Sequence, residues 1–279
     1  MEKWDIEIGS KRSWFQLNLK EIWRYRDLFV LFVRRDIVAV YKQTVLGPLW
    51  FFIQPLLTTI IYTFVFGKLA AIPTDGLPQP LFYMSGIVLW NYFAQALNAT
   101  ASTFVSNAGL FSKVYFPRII SPLSQVTSSM LTFFIQLAML AILWSYYYYQ
   151  GAIIAIQWQF VLFPILLAMM ALLGLGMGLI LSSMTTKYRD LRQLITFGVS
   201  LLMYATPVIY PLSEVPQKYA WIIEWNPTSH IIEGFRYMLL GAGNFSWPML
   251  AYSAAVSLVL FLIGLMVFNK TEKNFLDTV

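Results

Sequence analysis

The ionisable side chains that could do acid–base chemistry gather in one stretch near the carboxyl end of the chain. Glu214, Glu224, Glu233 and Arg236 lie there, together with His230, which is the only histidine. Acid–base catalysis needs such groups at defined mutual positions, and no catalytic arrangement is evident in this spacing. One histidine without a second histidine or a cysteine does not make a metal site. The stretch is therefore interpreted either as a solvated loop or as a gate for a polar substrate.

Long parts of the chain carry no charged side chain. The 279 residues are 58% apolar and 11% charged, with a formal net charge of +6. Soluble domains carry about 25% charged residues, so we expect an integral membrane protein. The positive charge then indicates orientation in a membrane, and no nucleic-acid partner is expected.

Other chemistry is excluded or disfavoured by what the sequence lacks. There is no cysteine, which excludes disulfides, thiol catalysis and thiolate metal sites. No Gly-x-x-x-x-Gly-Lys-Ser/Thr loop is present to hold nucleotide phosphates, so any ATP would be bound by a partner. Gly174 and Gly178 form a small-xxx-small step, which predicts close helix packing instead. None of the apolar stretches long enough to span a bilayer contains Asp, Glu, Lys, Arg or His in its middle, which argues against proton coupling and catalysis in the bilayer.

Uncharged polar side chains interleave with aromatic ones in the apolar stretches. Amides and hydroxyls can bond the hydroxyls of a sugar, and aromatic rings can pack against its flat CH faces. Such a lining suits a glycan, whereas the alternative is hydrogen bonding between helices with aromatic rings that face lipid. The candidate lining residues are Trp50, Phe51, Gln54, Trp90, Tyr92, Phe93 and Tyr204.

Six charge-free apolar windows are long enough to cross a bilayer as helices, at a rise of about 1.5 Å per residue. The third window exceeds the length needed, so it is expected to tilt or to project beyond the bilayer. The predicted fold is an all-α integral membrane protein with six transmembrane helices. The windows lie at 46–67, 81–105, 119–147, 158–184, 193–212 and 247–268.

Two further segments have helical patterns but are not predicted to span the membrane. Residues 17–43 place charged side chains at three- and four-residue steps with apolar ones opposite, which predicts an N-terminal amphipathic interfacial helix. Between the fifth and sixth windows, two short apolar pieces at 219–225 and 229–240 flank Asn226-Pro227. They predict a helical hairpin on the outer side, either re-entrant or lying on the surface.

The distribution of cations predicts the orientation. With the N-terminus inside, the inner segments hold 16 Lys and Arg and the outer segments hold three, so both termini are expected in the cytoplasm. No signal peptide is expected, because the first 20 residues contain no apolar core. The chain is thus divided into a cytoplasmic tail and interface helix (1–43), a six-helix transmembrane domain (44–270) and a cytoplasmic C-terminal tail (271–279).

One inner loop, residues 107–118, mixes large apolar side chains with cations in the sequence NAGLFSKVYFPR. Apolar anchors flanked by charges are typical of a helix that docks onto a partner protein. A helix end lying on the membrane surface has the same composition. The residues alone leave both interpretations open.

Several motifs together resemble the membrane subunit of type-2 ABC exporters. The opening string RRDIVAVYKQTVLGPLWFFIQPLLTTIIYTFVFGKLA, residues 34–70, is similar to the start of the branch that exports O-antigen, teichoic acid and capsular polysaccharide. The later pieces LFSKVYFPR, KYRD and TPVIYP…WNP agree with that family. The resemblance covers roughly residues 20–275.

The resemblance implies a function and a set of partners. It implies a permease subunit that moves a lipid-linked polysaccharide across the cytoplasmic membrane of a bacterium. It implies a homodimer, two copies of a separate ATPase subunit that binds ATP and Mg²⁺, and contact with membrane lipids. The chain itself would then be no enzyme and would hold no cofactor.

The resemblance also assigns roles to residues. The interface helix and the 107–118 loop would dock the ATPase, and the outer hairpin would close a pore at the dimer interface. The docking residues would be Arg24, Arg34, Arg35, Leu110, Phe111, Lys113, Tyr115, Phe116 and Arg118. The gate residues would be Tyr210, Trp225, Asn226, Pro227, His230, Glu233 and Arg236.

Three alternatives stay open. The chain could serve a type-2 ABC exporter of a drug or a lipid. A membrane glycan-processing enzyme, such as a polymerase or an acyltransferase, would have to use the cluster between Glu214 and Arg236. A structural membrane anchor is less favoured, because several spans contain uncharged polar residues.

Overall fold

The computed structural model describes residues 19–42, 46–111, 113–186, 188 and 190–275, and throughout these ranges the regular structure is helical without a strand. The N-terminal tail predicted before residue 17 lies outside the described residues. So do Lys187 and Arg189 of the KYRD motif and the last four residues of the predicted C-terminal tail. The predicted all-helical class is confirmed for the part that is described.

The N-terminal segment forms two helices, α1 (Leu19–Arg24) and α2 (Arg26–Tyr41), which are separated at Tyr25. Helix α2 packs along the third long helix, α7 (Ile120–Tyr149). Its apolar side is anchored by the buried Phe32, while Arg34 and Arg35 are exposed. The amphipathic pattern is thereby explained by packing on α7, and a position at the membrane interface stays a prediction.

Among the residues that the structure describes, four helical segments are long and apolar enough to cross a membrane by length and composition. They match the first, third, fourth and sixth predicted windows. The first begins in a tight turn where Gly47 has a φ of 50°, a backbone conformation that favours glycine. The four segments are Gly47–Leu69, Ile120–Tyr149, Trp158–Thr185 and Trp247–Glu272.

Two of these four segments combine an α-helix with another type of helix, and the last continues beyond the span. In the first, α3 (Trp50–Tyr62) follows a 3-10 turn at Gly47–Leu49 and continues as a π-helix at Thr63–Leu69. In the segment Trp158–Thr185, a 3-10 turn at Trp158–Leu162 precedes α8 (Phe163–Thr185). The last is helix α12, Trp247–Phe275.

The second predicted window forms helix α4 (Gln79–Ala101), which is followed by the short helices α5 (Thr103–Ser106) and α6 (Ala108–Phe111). Helix α4 contacts α3, α7 and α8, and nearly all of its side chains from Leu81 to Trp90 are buried. Its amide side chains make it more polar than the four long apolar segments. Whether α4 crosses the membrane stays a prediction.

The fifth predicted window is wrong in its extent. Helix α9 (Leu191–Leu202) and a 3-10 turn at Met203–Ala205 end well before residue 212. Thr206 is extended, with φ −131° and ψ 141°, because Pro207 disfavours a helical conformation in the residue before it. The apolar helix from Leu191 to Ala205 is therefore shorter than the window, and a full crossing there stays a prediction.

The predicted hairpin forms as two helices, α10 (Gln217–Glu224) and α11 (Pro227–Leu240), with the break at Asn226 as the sequence predicts. Asn226 caps α11, since its Oδ1 accepts a hydrogen bond from the Thr228 N–H at 3.1 Å. Helix α11 ends at Gly241, whose φ of 75° is the left-handed conformation of a helix stop. The depth of the hairpin in a membrane stays a prediction.

Small residues let α8 pack closely on two sides. A Cβ on Gly174 or Gly178 would collide with Ala96 or Thr100 of α4, at 2.9 Å and 2.5 Å. On the other side, a Cβ on Gly176 would lie 2.6 Å from the backbone nitrogen of Phe261 in α12. The predicted small-residue packing is confirmed, and it makes α4 and α8 the centre of the helix bundle.

Candidate functional site

Two helices border α4 and meet at one end. Helix α3 contacts α4 and α7, and α9 contacts α4 and α8. The Tyr62 hydroxyl at the end of α3 lies 3.7 Å from the Met203 sulfur after α9 and donates to it. In the middle of α9, the Thr196 hydroxyl donates to the Asn98 side-chain oxygen of α4 at 3.4 Å. The helices α3, α4 and α9 thus form the candidate transport surface.

The residues predicted to line a pore divide into two sets on this surface. Trp50 and Gln54 of α3 and Tyr204 after α9 are exposed, and Phe51 is half-buried. Side chains of this first set can contact a substrate in the conformation described. Because they sit on both bordering helices, they lie on either side of α4.

The second set belongs to the subunit core. Trp90 is 4% exposed, and Tyr92 and Phe93 are 1% and 0% exposed. The Trp90 ring packs on Phe93 at a centroid distance of 5.3 Å, and Tyr92 packs on Phe133 of α7 at 5.4 Å. These rings are covered by their own chain, and a role in the lining stays a prediction for them.

The amides of α4 serve more than one purpose. Asn91, Gln95 and Asn98 follow at four- and three-residue steps and therefore share one face of the helix. The Asn91 side-chain nitrogen donates to Gln136 of α7 at 3.2 Å, so this amide joins two helices. Gln95, between the other two, is exposed. Of the three, it is the amide best placed to bond a substrate.

The 107–118 loop is held by aromatic packing that sequence reasoning missed. Phe111 and Phe116 are 4% and 3% exposed, and their ring centroids are 5.6 Å apart. The Phe116 ring also meets Phe32 of α2 edge-on at 5.5 Å, and Phe104 packs on Phe111 at 6.0 Å. The loop and the N-terminal helix α2 thus share one small aromatic core.

One charged group ties this loop to α12, and another packs within α2. The Arg118 guanidinium lies 5.5 Å from the centre of the Phe111 ring and donates to the Glu272 carbonyl of α12 at 2.9 Å. Burial lowers the pKa of Arg118, while the charges of Glu272 and Tyr115 act in the opposite direction. The Arg35 guanidinium lies over the Phe32 ring at 4.5 Å and pairs with Asp36 at 2.8 Å.

The predicted docking residues therefore differ in accessibility. Arg24, Arg34, Arg35, Lys113 and Tyr115 are exposed. Leu110 is half-buried, and Phe111, Phe116 and Arg118 are buried. The exposed group can contact a partner, and the buried group supports it from inside. Docking itself stays a prediction for all nine.

The break between α10 and α11 is fixed to the end of α9. The Asn226 side-chain nitrogen donates to the Ala205 carbonyl and to the Thr206 hydroxyl, both at 2.9 Å. Next to it, Pro227 opens α11 and needs no partner for a backbone N–H. The Tyr210 hydroxyl donates to the Tyr204 carbonyl at 2.8 Å. The predicted gate residues Asn226, Pro227 and Tyr210 are thus brought together with the candidate lining residue Tyr204.

The interpretation of the ionisable cluster as a solvated loop is wrong for its central members. Glu233 and Arg236 are each 1% exposed, and the Arg236 Nη1 and Glu233 Oε1 atoms are 2.6 Å apart. Glu214 and Glu224 remain exposed. The i, i+3 spacing of opposite charges in an apolar helix was the signal that could have identified this pair.

Arg236 and Glu233 connect α11 to three other segments. Arg236 donates to the Ser85 hydroxyl of α4 at 3.3 Å and to the Val208 carbonyl at 3.1 Å. Its guanidinium carbon lies 3.7 Å from the centre of the Phe82 ring. The second Glu233 oxygen accepts a hydrogen bond from the Asn244 N–H at 3.1 Å. The pair therefore holds α11 against α4 and against the segments that contain Val208 and Asn244.

His230 and Trp225 join α11, α10 and α12. The His230 Nε2 lies 2.7 Å from the Glu224 carbonyl, and the Tyr252 hydroxyl of α12 donates to the Trp225 carbonyl at 3.0 Å. The Trp225 side chain itself is 67% exposed. Within the described residues, no group of three acidic, histidine or cysteine side chains could hold a metal ion. His230 is accordingly a structural contact.

Comparison with known proteins gives a family match over most of the chain. The family model described as "ABC-2 type transporter" matches residues 27–240. An O-antigen export system permease protein, RfbA of Klebsiella pneumoniae, is 29% identical over 252 residues, covering 90% of this chain and 94% of the relative. The RfbA protein of Myxococcus xanthus is 26% identical over 264 residues, covering 94% and 98%. The polysialic acid transport protein KpsM of Escherichia coli is 23% identical over 245 residues, covering 88% and 93%.

Proposed function

Because the chain belongs to the ABC-2 type transporter family, we propose that it is the permease subunit of an exporter that moves a lipid-linked polysaccharide across a bacterial cytoplasmic membrane. The observation that carries this proposal is the near full-length similarity to permeases named for O-antigen and polysialic acid. A polysaccharide is favoured over a drug or a lipid because each of these names refers to a glycan.

The chemistry of the transport surface supports a glycan. Trp50 and Tyr204 offer exposed ring faces, and Gln54 and Gln95 offer exposed amides that both donate and accept hydrogen bonds. A sugar presents hydroxyls and CH faces that match these groups. Uncharged groups also suit a long polymer, since they hold no single sugar tightly and let the chain slide past.

The subunit is proposed to act as a homodimer with two copies of a separate ATPase. Only 11% of the first span is buried within the subunit, which leaves α3 open to lipid or to a second copy. The ATPase binds ATP and Mg²⁺, since this sequence contains no phosphate-binding loop. Both termini and the 107–118 loop face the cytoplasm, and six segments cross the membrane.

The aromatic core of the inner loop supplies the proposed coupling. ATP binding closes the ATPase dimer, which pushes on exposed docking residues such as Lys113 and Tyr115. Because Phe116 packs on Phe32, the loop and α2 move together, and α2 passes the motion to α7. The spans then rearrange, and the polymer advances between α3 and α9.

A cellular assay tests the export function. Removal of the gene from its host should abolish the surface polysaccharide and cause lipid-linked polymer to accumulate inside, and the wild-type gene should restore export. Unchanged surface polysaccharide would contradict the proposal. Accumulation of a lipid without sugar would favour the alternative exporter of a lipid.

Docking is tested at exposed positions, because substitution of the buried Phe111 or Phe116 would disturb the fold itself. The double change Lys113→Glu and Tyr115→Asp should weaken co-purification of the ATPase while the permease stays assembled. Lys68→Glu, an exposed cation at the other end of the first span, is the matched control and should keep the ATPase bound. Equal ATPase recovery in both proteins would overturn the docking assignment.

A further inference from the structure

Helix α9 carries a polar stripe whose cation, Arg192, has no role in the site described so far. Arg192, Thr196 and Ser200 follow at four-residue steps, so they share one face. Together with Gln193 and Phe197 they line an open groove of about 520 Å³. Apart from Phe197 these side chains are polar, although they lie on a helix that is otherwise mainly apolar. Phe197 and the hydrocarbon parts of the other side chains nevertheless form most of the groove surface. A mainly apolar wall that carries one cation suits a ligand with an anionic head and an apolar chain.

The charge of the groove is positive. Arg192 is the only Lys, Arg, Asp or Glu in the three described helices α3, α4 and α9. In the parts of the chain that the structure describes, no carboxylate forms a salt bridge with it. An exposed guanidinium without an ionic partner offers its fork of N–H donors to an anion that arrives from outside.

The hydroxyls beside Arg192 are already oriented. The Thr196 hydroxyl bonds the Arg192 carbonyl at 3.0 Å and the Asn98 side-chain oxygen at 3.4 Å, and the Ser200 hydroxyl donates to the Thr196 carbonyl at 3.0 Å. Their hydrogens are therefore engaged within the helices. The donors left for a ligand are the Arg192 guanidinium and the Gln193 amide, which lie side by side at the start of the helix.

We propose that this groove binds the phosphate group that links the polysaccharide to its lipid anchor. Arg192 and Gln193 donate to the phosphate oxygens, and Phe197, 63% exposed, packs against the first carbons of the lipid chain. The inference rests on the proposed function, whose orientation places the start of α9 at the cytoplasmic headgroup level. It adds a substrate-recognition site at the inner end of the transport surface.

A single introduced thiol tests the charge of the groove. The chain has no cysteine, so Thr196→Cys in the full-length protein carries one thiol one helical turn from Arg192. After this variant has been shown to restore export in cells, it is placed in nanodiscs and labelled with a sulfonatoethyl or a hydroxyethyl methanethiosulfonate. Adding Arg192→Gln should lower the rate for the anionic reagent relative to the neutral one by about threefold.

Ser200→Cys is the matched control on the same groove. Eight residues separate position 200 from Arg192, which is about 12 Å along the helix and beyond the screening length at ordinary salt. The ratio of the two rates there should stay unchanged by Arg192→Gln. If Arg192→Gln also leaves the ratio of the two rates at position 196 unchanged, the proposal is overturned. A thiol at position 196 that neither reagent labels would overturn it as well, because a second copy of the chain would then cover this face.

Protection of the thiol identifies the ligand. Farnesyl diphosphate should slow labelling at position 196, farnesol should not, and Arg192→Gln should abolish the protection while Arg192→Lys keeps part of it. Protection by inorganic diphosphate alone, or equally by phosphatidylglycerol in the nanodisc, would overturn the assignment to a lipid-linked substrate. If export in cells requires the gene but Arg192→Gln exports normally, the phosphate site fails while the proposed function stands.

Discussion

Helices α3 and α4 are neighbours in sequence and in space. The more apolar of the two, α3, is the less buried. The first span, which contains α3, is apolar enough to cross a membrane, yet only 11% of it is buried within the subunit. Helix α4 carries Asn91, Gln95 and Asn98 and is nearly enclosed by other helices. Hydropathy thus reports the preference of a segment for lipid, and it does not report which helix forms the core of the subunit.

The polar groups of α4 explain why it is central. In lipid such groups would lack hydrogen-bond partners, whereas inside the bundle three of them bond to neighbouring helices. Asn91 bonds Gln136 of α7, Asn98 bonds Thr196 of α9, and Ser85 bonds Arg236 of α11. Each bond holds a different helix against α4. The amides that lower its hydropathy are therefore the groups that assemble the bundle.

The largest expected effect tests the contact of α4 with the buried ion pair. Arg236→Met leaves the Glu233 carboxylate buried without its partner and should lower the free energy of unfolding by about 3–5 kcal/mol. Adding Glu233→Gln should recover most of the loss, since no unpaired charge then remains. Lys68→Met, at the exposed end of the first span, serves as the control and should change stability by less than about 1 kcal/mol. Unfolding in mixed micelles measures all three.

Matched tryptophans test the same contrast within the candidate lining. Trp90→Ala in α4 should cost about 3–5 kcal/mol of unfolding free energy because it empties a packed site. Trp50 of α3 is 47% exposed, so Trp50→Ala should cost much less stability and instead slow polysaccharide export. Equal losses of stability for the two variants would contradict the distinction between core and surface.

Close packing on α4 predicts a smaller effect. Gly178→Ala places a Cβ 2.5 Å from the Thr100 Cβ and should destabilise the protein by about 1–3 kcal/mol. Gly198 of α9 has no atom within 4 Å of its built Cβ. Gly198→Ala should therefore stabilise its helix by up to about 1 kcal/mol. Two changes of the same sign and size would show that α8 does not pack on α4 as described.

The smallest effect concerns the amides. Asn91→Ala removes the bond to Gln136 and should cost about 0.6 kcal/mol, the average for such bonds in membrane proteins. Gln54→Ala in α3 should leave stability unchanged and reduce the rate of export. A loss of stability for Gln54→Ala, without any change in export, would show that Gln54 packs within the bundle and does not belong to the transport surface.

The sequence predicts the fold well where length and composition decide it. Four apolar windows became helices of spanning length, and the Asn226-Pro227 break and the Gly241 stop lie where the residue types require them. The fifth window failed because its apolar composition continues through Pro207, although the backbone before a proline leaves the helix.

The site was harder to predict, because an amphipathic pattern does not identify what covers its apolar face. The sequence predicts Phe111 and Phe116 as anchors for a partner protein. In the structure, however, Phe32 and Phe104 of the same chain cover them. Trp90 and Phe93 read as a lining for the same reason. Which of two apolar surfaces a ring faces depends on contacts between distant segments, and spacing within one helix does not contain that information.

Reconstituted transport tests the central claim most directly. The permease and its ATPase are placed in proteoliposomes with radiolabelled lipid-linked polysaccharide, and a glycan-cleaving enzyme is added on the side that the polymer should reach. We predict that ATP makes the polymer accessible to the enzyme, and that Trp50→Ala slows this step while the complex stays intact. Polymer that stays protected with ATP, or that crosses equally fast without it, would contradict the assignment of polysaccharide export to this permease.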